Sequence, residues 1–341
     1  MKKLLIGAAL LLGTTVSAQG LLINGAGATF PAPLYQKWFS EYNKLNPNIK
    51  FNYQPIGSGG GIKQFTEGTI DFGASDAPMK DDQIAKAPSV VHIPTVLGAV
   101  VVAYNAPGLK SLRFSGETLA NVFLGKITKW NDPAIAADNP GVTMPDQAIV
   151  VARRSDGSGT NAIFTDYLSK VSPEFKSKIG SGTSVSWPAG TLGGKGNDGV
   201  TALVKSTPGS IGYVELGFAI QQKLTVAELK NKDGNWVKAS IESTTAAAAG
   251  VEMPADFRVS ITNASGKDSY PIAGFTWLLV HRDSKDAAKG TAIINFLRWA
   301  LTDGEKMASP LDYAPLPKSV QEKVLKTIDT LTVNGAKISA K

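Results

Sequence analysis

One run constrains this chain more than any other: Val96–Tyr104, inside TVLGAVVVAY, is apolar on both faces and dominated by valine. β-branched residues favour extended backbone, and a strand without a polar face must be covered on both sides. The run therefore predicts a fully covered parallel strand. Helix-period stretches alternate with other strand-like runs along the chain, which is the pattern of an α/β fold. Helices are expected over Leu34–Leu45, over Ser115–Leu124 with Ser115 as N-cap and Gly125 as the stop, over Asn161–Val171 and over Thr291–Leu301. The stretch 244–250, TTAAAAG, is the only low-complexity segment and reads as a helix start or a spacer.

A chain of 341 residues has room for one large or two medium domains. It contains no cysteine, which excludes disulfides, thiol nucleophiles, iron–sulfur clusters and cysteine-based zinc sites. Its 2 histidines, His92 and His281, are too few for an all-histidine metal centre and do not form HExxH. No metal or other cofactor is expected. At the start, Met1-Lys2-Lys3 is basic, Leu4–Leu12 is a short apolar run and Val16-Ser17-Ala18 is a small-residue cleavage site. Residues 1–18 read as a secretory signal peptide, with Gln19 as the mature start and the periplasm as the destination. No later apolar run reaches about 18 residues without charge, so no membrane span is expected. With no cysteine after the cleavage site, a lipid anchor is not expected either.

The formal charge of +7 falls to +5 when Lys2 and Lys3 leave. The longest Lys/Arg runs are pairs, which supports neither nucleic-acid binding nor a polybasic membrane segment. A diffuse positive field still favours small anions.

Three segments join a glycine-rich turn carrying hydroxyls to a helix start. They are GAGATFPAP (25–33), which follows a strand over Leu21–Asn24; IGSGGGIKQF (56–65), with Ser58 ahead of a short helix facing inward through Ile62 and Phe65; and RRSDGSGT (153–160). A helix N-terminus offers unpaired N–H groups and about half a positive charge, and glycine lets the backbone approach a small ligand. One such turn is ordinary capping by Ser or Thr. Three of them, if they converge, supply hydroxyls from Thr29, Ser58, Ser158 and Thr160, amides from Phe30, Gly159 and Thr160, and one arginine. That set suits a compact oxyanion.

Two carboxylates stand beside these turns, Asp76 in DFGASDAP and Asp156 in RRSDGSGT. Each could close a turn or cap a helix. A buried carboxylate can only accept hydrogen bonds, so it tolerates an oxyanion that still carries a proton and repels one that does not.

Together GAGATFPAP, GSGGGIKQF, DFGASDAP, RRSDGSGT and LGGKGNDG resemble the phosphate-binding proteins of periplasmic phosphate ABC transporters. LGKITKWND (124–132), PGSIGYVE (208–215) and LDYAPLP (311–317) extend the resemblance over nearly the whole mature chain. It implies a two-lobed, type II periplasmic-binding-protein fold of the α/β class that closes on phosphate, without catalysis. Matched motif to motif, the ligands are Thr29, Phe30, Ser58, Asp76, Arg154, Ser158, Gly159 and Thr160, with Asp156 holding Arg154. Against Asp76, a sulfate complex lacking the ligand proton would cost roughly 4–7 kcal/mol. Arg153 and Arg154 point opposite ways on a strand end; the resemblance selects Arg154 and leaves Arg153 as a solvent or inter-lobe contact. His92 and His281 read as structural.

The resemblance also implies discontinuous lobes, 19–104 plus 275–341 and 105–274, with crossings near Asn105 and in the stretch 271–275. The expected partners are inorganic phosphate and a membrane permease, and a monomer is expected. The rival readings are a phosphoryl-group enzyme, an arsenate receptor and a secreted scavenger or adhesin. Against the enzyme, Gly125-Lys126, Gly194-Lys195 and Gly266-Lys267 are followed by Ile, Gly and Asp, so no P-loop exists, and GAGATF lacks the third glycine of a dinucleotide fingerprint.

Overall fold

The computed structural model describes residues 20–339; the expected signal peptide and its cleavage site lie outside them. Strands β1 (Leu21–Gly27), β2 (Ile49–Gln54), β3 (Phe72–Ser75), β4 (Val90–Asn105), β5 (Val150–Arg154), β6 (Leu192–Gly194), β7 (Ser210–Glu215), β8 (Thr225–Val226) and β9 (Ala273–His281) form one nine-stranded sheet. Its order is β2-β1-β3-β9-β4-β7-β5-β6, with β8 also on β4. One wing pairs β2, β1 and β3 in parallel, and the other pairs β7, β5 and β6 in parallel.

Between the wings lies β4, and here the structure corrects the sequence reading. The strand is longer than Val96–Tyr104 and antiparallel to β9, β7 and β8. Apolarity on both faces reports that the strand is covered, which it is, and carries no information about the direction of its partners. β4 changes partner along its length. Ala99 pairs with Ala273 of β9, whereas the next residue, Val100, pairs with Glu215 of β7. One continuous strand therefore serves both halves of the molecule.

Helices α1 (Ala32–Leu45), α2 (Ser58–Thr66), α3 (Gly159–Val171) and α4 (Gly196–Ser206) begin shortly after β1, β2, β5 and β6 end. In open α/β sheets the carboxyl ends of parallel strands form the ligand crevice, and here two such ends come from each wing. α1 folds onto its wing through Leu34, Tyr35, Trp38, Phe39 and Tyr42, all buried at helical spacing. Phe39 stacks on Phe51 at 5.0 Å and packs on Phe296. On the far wing Phe164 of α3 stacks on Tyr213 at 4.2 Å.

Local signals set most helix ends. The helix Gly116–Phe123 is capped by Ser115, whose side chain accepts from Thr118 N–H, and Gly125 follows it at φ +73°. Three readings are adjusted. Ser58 is the first residue of α2, behind Gly57 at φ +93°, instead of preceding the helix. The expected Thr291 start is overtaken by a helix over Ala287–Ala300 capped by Asp286. The alanine tract forms the later part of a helix over Ile241–Ala248, because Ser240 and Ser243 make a capping box ahead of it.

Candidate functional site

The four helix starts meet. Gly59 N–H donates to the Gly157 carbonyl (2.8 Å), joining the α2 loop to the α3 loop. Gly159 N–H donates to Ser58 Oγ (3.0 Å). Across the other side, Asn197 at the start of α4 donates to Thr29 Oγ1 from its backbone N–H (3.2 Å) and from Nδ2 (2.9 Å). Each bond runs from one half of the sheet to the other, so the walls are in contact. Thr29, Phe30, Ser58, Asp76, Arg154, Ser158, Gly159 and Thr160 are all buried.

Glycine is required at 159 for this approach: a Cβ there would sit 2.5 Å from Ser58 Oγ and 2.6 Å from the Asp76 side chain. The Gly159 amide, expected to face an anion, is turned onto Ser58 Oγ. The Phe30 ring packs against Gly98, and its carbonyl accepts from Tyr313 Oη (2.6 Å); the N–H is what it can offer a ligand. Ser158 is the α3 N-cap, its Oγ accepting from Asn161 N–H.

Arg154 closes β5 with its side chain inward. Its Nε and Nη2 donate to Asp156 Oδ1 (2.8 Å) and Oδ2 (2.6 Å), a bidentate pair. Asp156 Oδ1 also accepts from Gly196 N–H (3.0 Å). Burial alone would raise the Asp156 carboxyl, but the Arg154 hydrogen bonds and charge, with the Gly196 amide, hold it below the usual range. Arg154 Nη1 is buried without a hydrogen-bond partner. Arg153 faces away, donating to Thr191 Oγ1 and to the Arg154 carbonyl, as strand alternation requires.

Asp76 follows β3. Its Oδ1 accepts from Thr276 Oγ1 (2.8 Å) and its Oδ2 from Ser58 Oγ at a long 3.4 Å. Burial pushes its carboxyl up to about 7, against the lowering effects of Thr276, Arg154 and Ser58. Ser58 Oγ accepts from both Asp76 N–H (3.1 Å) and Gly159 N–H, so its proton is left to donate. A cavity of about 380 Å³ opens beside Asp76, between Ile163 and Asp166 of α3 and the segment 80–83, with Trp277 behind it.

His92 takes a structural place. Its Nε2 accepts from Met79 N–H (3.0 Å), and burial pushes it down to about 4. His281 stacks on Phe65 at 4.6 Å and bonds Ser89. Among the described residues no cluster of three or more His, Cys, Asp or Glu is placed to hold a metal ion. Sequence reasoning missed Thr276, which sits inside an apolar strand, and Asn197, although LGGKGNDG was singled out.

The two-winged sheet and a buried, part-unpaired arginine where four helix starts meet define a two-lobed binding protein of the periplasmic type. A match to the PBP superfamily domain spans residues 13–304. The chain is 46% identical over 306 residues to the phosphate-binding protein PstS of Xylella fastidiosa (strain Temecula1), covering 89% of this chain and 83% of that one. It is 47% identical over 313 residues to PstS of Pasteurella multocida (strain Pm70), covering 91% and 90%. The chain belongs to the PstS family of phosphate-binding proteins within that superfamily.

Solved structures share the fold at lower identity. A high affinity periplasmic phosphate-binding protein (PfluDING) bound with phosphate superposes with TM-score 0.72 at 23% identity, covering 89% of this chain and 93% of that one. A putative phosphate ABC transporter substrate-binding protein with bound phosphate from Clostridium perfringens gives 0.64 at 16%, covering 87% and 100%.

Proposed function

We propose that this chain captures one inorganic phosphate between its lobes and delivers it to the membrane permease of a phosphate ABC transporter. It is a substrate-binding protein and not an enzyme. The observation that carries the reading is the unpaired Arg154 Nη1. A buried guanidinium with its Nη1 group free, held rigid by Asp156 and set among helix N-termini, is a site for an anion.

Hydroxyls of Thr29, Ser58, Ser158 and Thr160, amides of Phe30 and Thr160, and Arg154 surround the ligand. Gly159 lets the walls meet, and Asp76 accepts a hydrogen bond from the proton that phosphate retains. The lobes are 19–104 plus 275–341 and 105–274, and the chain passes between them at the end of β4, near Asn105, and in the stretch 271–275, just ahead of and into β9. Ligand contacts from both sides favour the closed form that a permease reads. The protein works as a periplasmic monomer. Among the described residues no helix is long and apolar enough to cross a membrane.

Isothermal titration calorimetry of the mature, anion-stripped protein tests this. One-to-one binding of phosphate, weaker arsenate binding and no sulfate heat are expected. Equal binding of sulfate means that Asp76 does not face the ligand; no phosphate binding returns the glycine loops to ordinary capping.

A further inference from the structure

We propose that Asn197 fixes the hydrogen-bond polarity of the anion cradle, obliging the Thr29 and Thr160 hydroxyls to donate to the ligand. The inference rests on the phosphate reading and concerns a residue outside the expected ligand set. Asn197 is fully buried at the start of α4. Its Oδ1 accepts from Glu215 N–H (2.9 Å), which settles which end of the carboxamide is oxygen. Nδ2 therefore faces the cradle, with one proton to Thr29 Oγ1 (2.9 Å) and one to Thr160 Oγ1 (3.1 Å).

The consequence follows from counting lone pairs. A hydroxyl has one proton and two acceptor positions. Thr29 Oγ1 receives both Asn197 N–H and Nδ2–H, so its acceptor positions are full. Thr160 Oγ1 receives Nδ2–H. Among the described residues neither hydroxyl donates to a protein acceptor, so each proton is left for an oxyanion. An aspartate here would invert the pattern: the oxygen standing in place of Nδ2 would accept from both hydroxyls, drawing their protons away from the ligand, and add a negative charge. The same carboxamide joins Thr29 of one half to Thr160 of the other. Asn197, its support Glu215 and Thr160 belong to one half, so only the share of the polarity carried by Thr29 is assembled when the halves meet.

The test is phosphate titration of Asn197→Ala in the natural background and in Thr29→Val/Thr160→Val. If Asn197 acts through the hydroxyls, its truncation weakens phosphate binding about tenfold to a hundredfold in the first and less than about threefold in the second. Equal losses in both backgrounds overturn the proposal. Should the double-valine background fail to fold by circular dichroism, the near-isosteric Asn197→Asp decides alone. Its deficit relative to the natural protein shrinks as pH falls from 8 to 5, because the protonated acid regains a donor; a deficit independent of pH overturns the proposal. If the natural protein takes no phosphate in the same titration, the phosphate reading falls and this inference with it.

Discussion

Asp76 and Asp156 stand on opposite walls of one cleft, each just past the end of a parallel strand, and each within the influence of Arg154. Their environments drive them apart. Asp156 receives two guanidinium bonds and a backbone amide and stays ionised. Asp76 receives a hydroxyl from Thr276 and a long one from Ser58, and burial pushes it up to about 7. Asp76 is the more deeply buried of the two and Asp156 has the charged donor, so burial and donors act in the same direction on the difference. A carboxylate saturated by an arginine can orient that arginine and do nothing else. One bonded only to hydroxyls keeps acceptor capacity and can sense whether a ligand carries a proton.

The sharpest way to break this division is Arg154→Ala. It removes the cradle's cation and leaves the half-buried Asp156 without its partner, so phosphate affinity measured by calorimetry should fall by about a thousandfold or more. A loss below tenfold would show that Asp156 and Arg154 are a structural pair. Next, Asp76→Asn replaces the proton-sensing acceptor with a group that can donate. The ratio of phosphate to sulfate affinity should drop by about a thousandfold or more; an unchanged ratio would put the discrimination elsewhere.

A smaller effect concerns stability without ligand. The folded Asp76 binds its proton more tightly than the unfolded chain does, with about 7 against the ordinary 3.8. Its contribution to stability is therefore fully present below the ordinary value and lost as pH rises through about 7. The melting temperature of the anion-free protein should fall less between pH 4 and 7 in Asp76→Asn than in the natural protein. Parallel profiles would mean that Asp76 is ionised throughout. The smallest effect belongs to Arg153→Ala, whose side chain bonds Thr191 and a carbonyl on the outer side of β5; phosphate affinity should change by less than about threefold. A large loss would exchange the roles of the two arginines.

The contrast also shows what a sequence can display. The glycine turns, their hydroxyls and the alternation that separates Arg153 from Arg154 are local, so their spacing could be read directly. Asn197 and Thr276 act through partners 168 and 200 residues away, Thr29 and Asp76. Nothing in GKGND or FTWLLV marks a long-range donor, since one resembles an ordinary helix start and the other an ordinary buried strand. β4 was legible as covered, but the direction of its neighbours is a property of the whole chain path. The Gly159 amide was legible as a donor, and only the meeting of the walls assigned it to Ser58.

The unbroken β4 has a mechanical consequence. A strand buried over nearly its whole length, paired with β9 up to Ala99 and with β7 from Val100, offers no loose segment where its partner changes. Motion there has to be distributed as elastic twist along several residues, as in a torsion bar, instead of concentrated at a flexible joint. Such an element has no disordered link to freeze, so under the closure proposed above little of the ligand's grip would be diverted into ordering the backbone there.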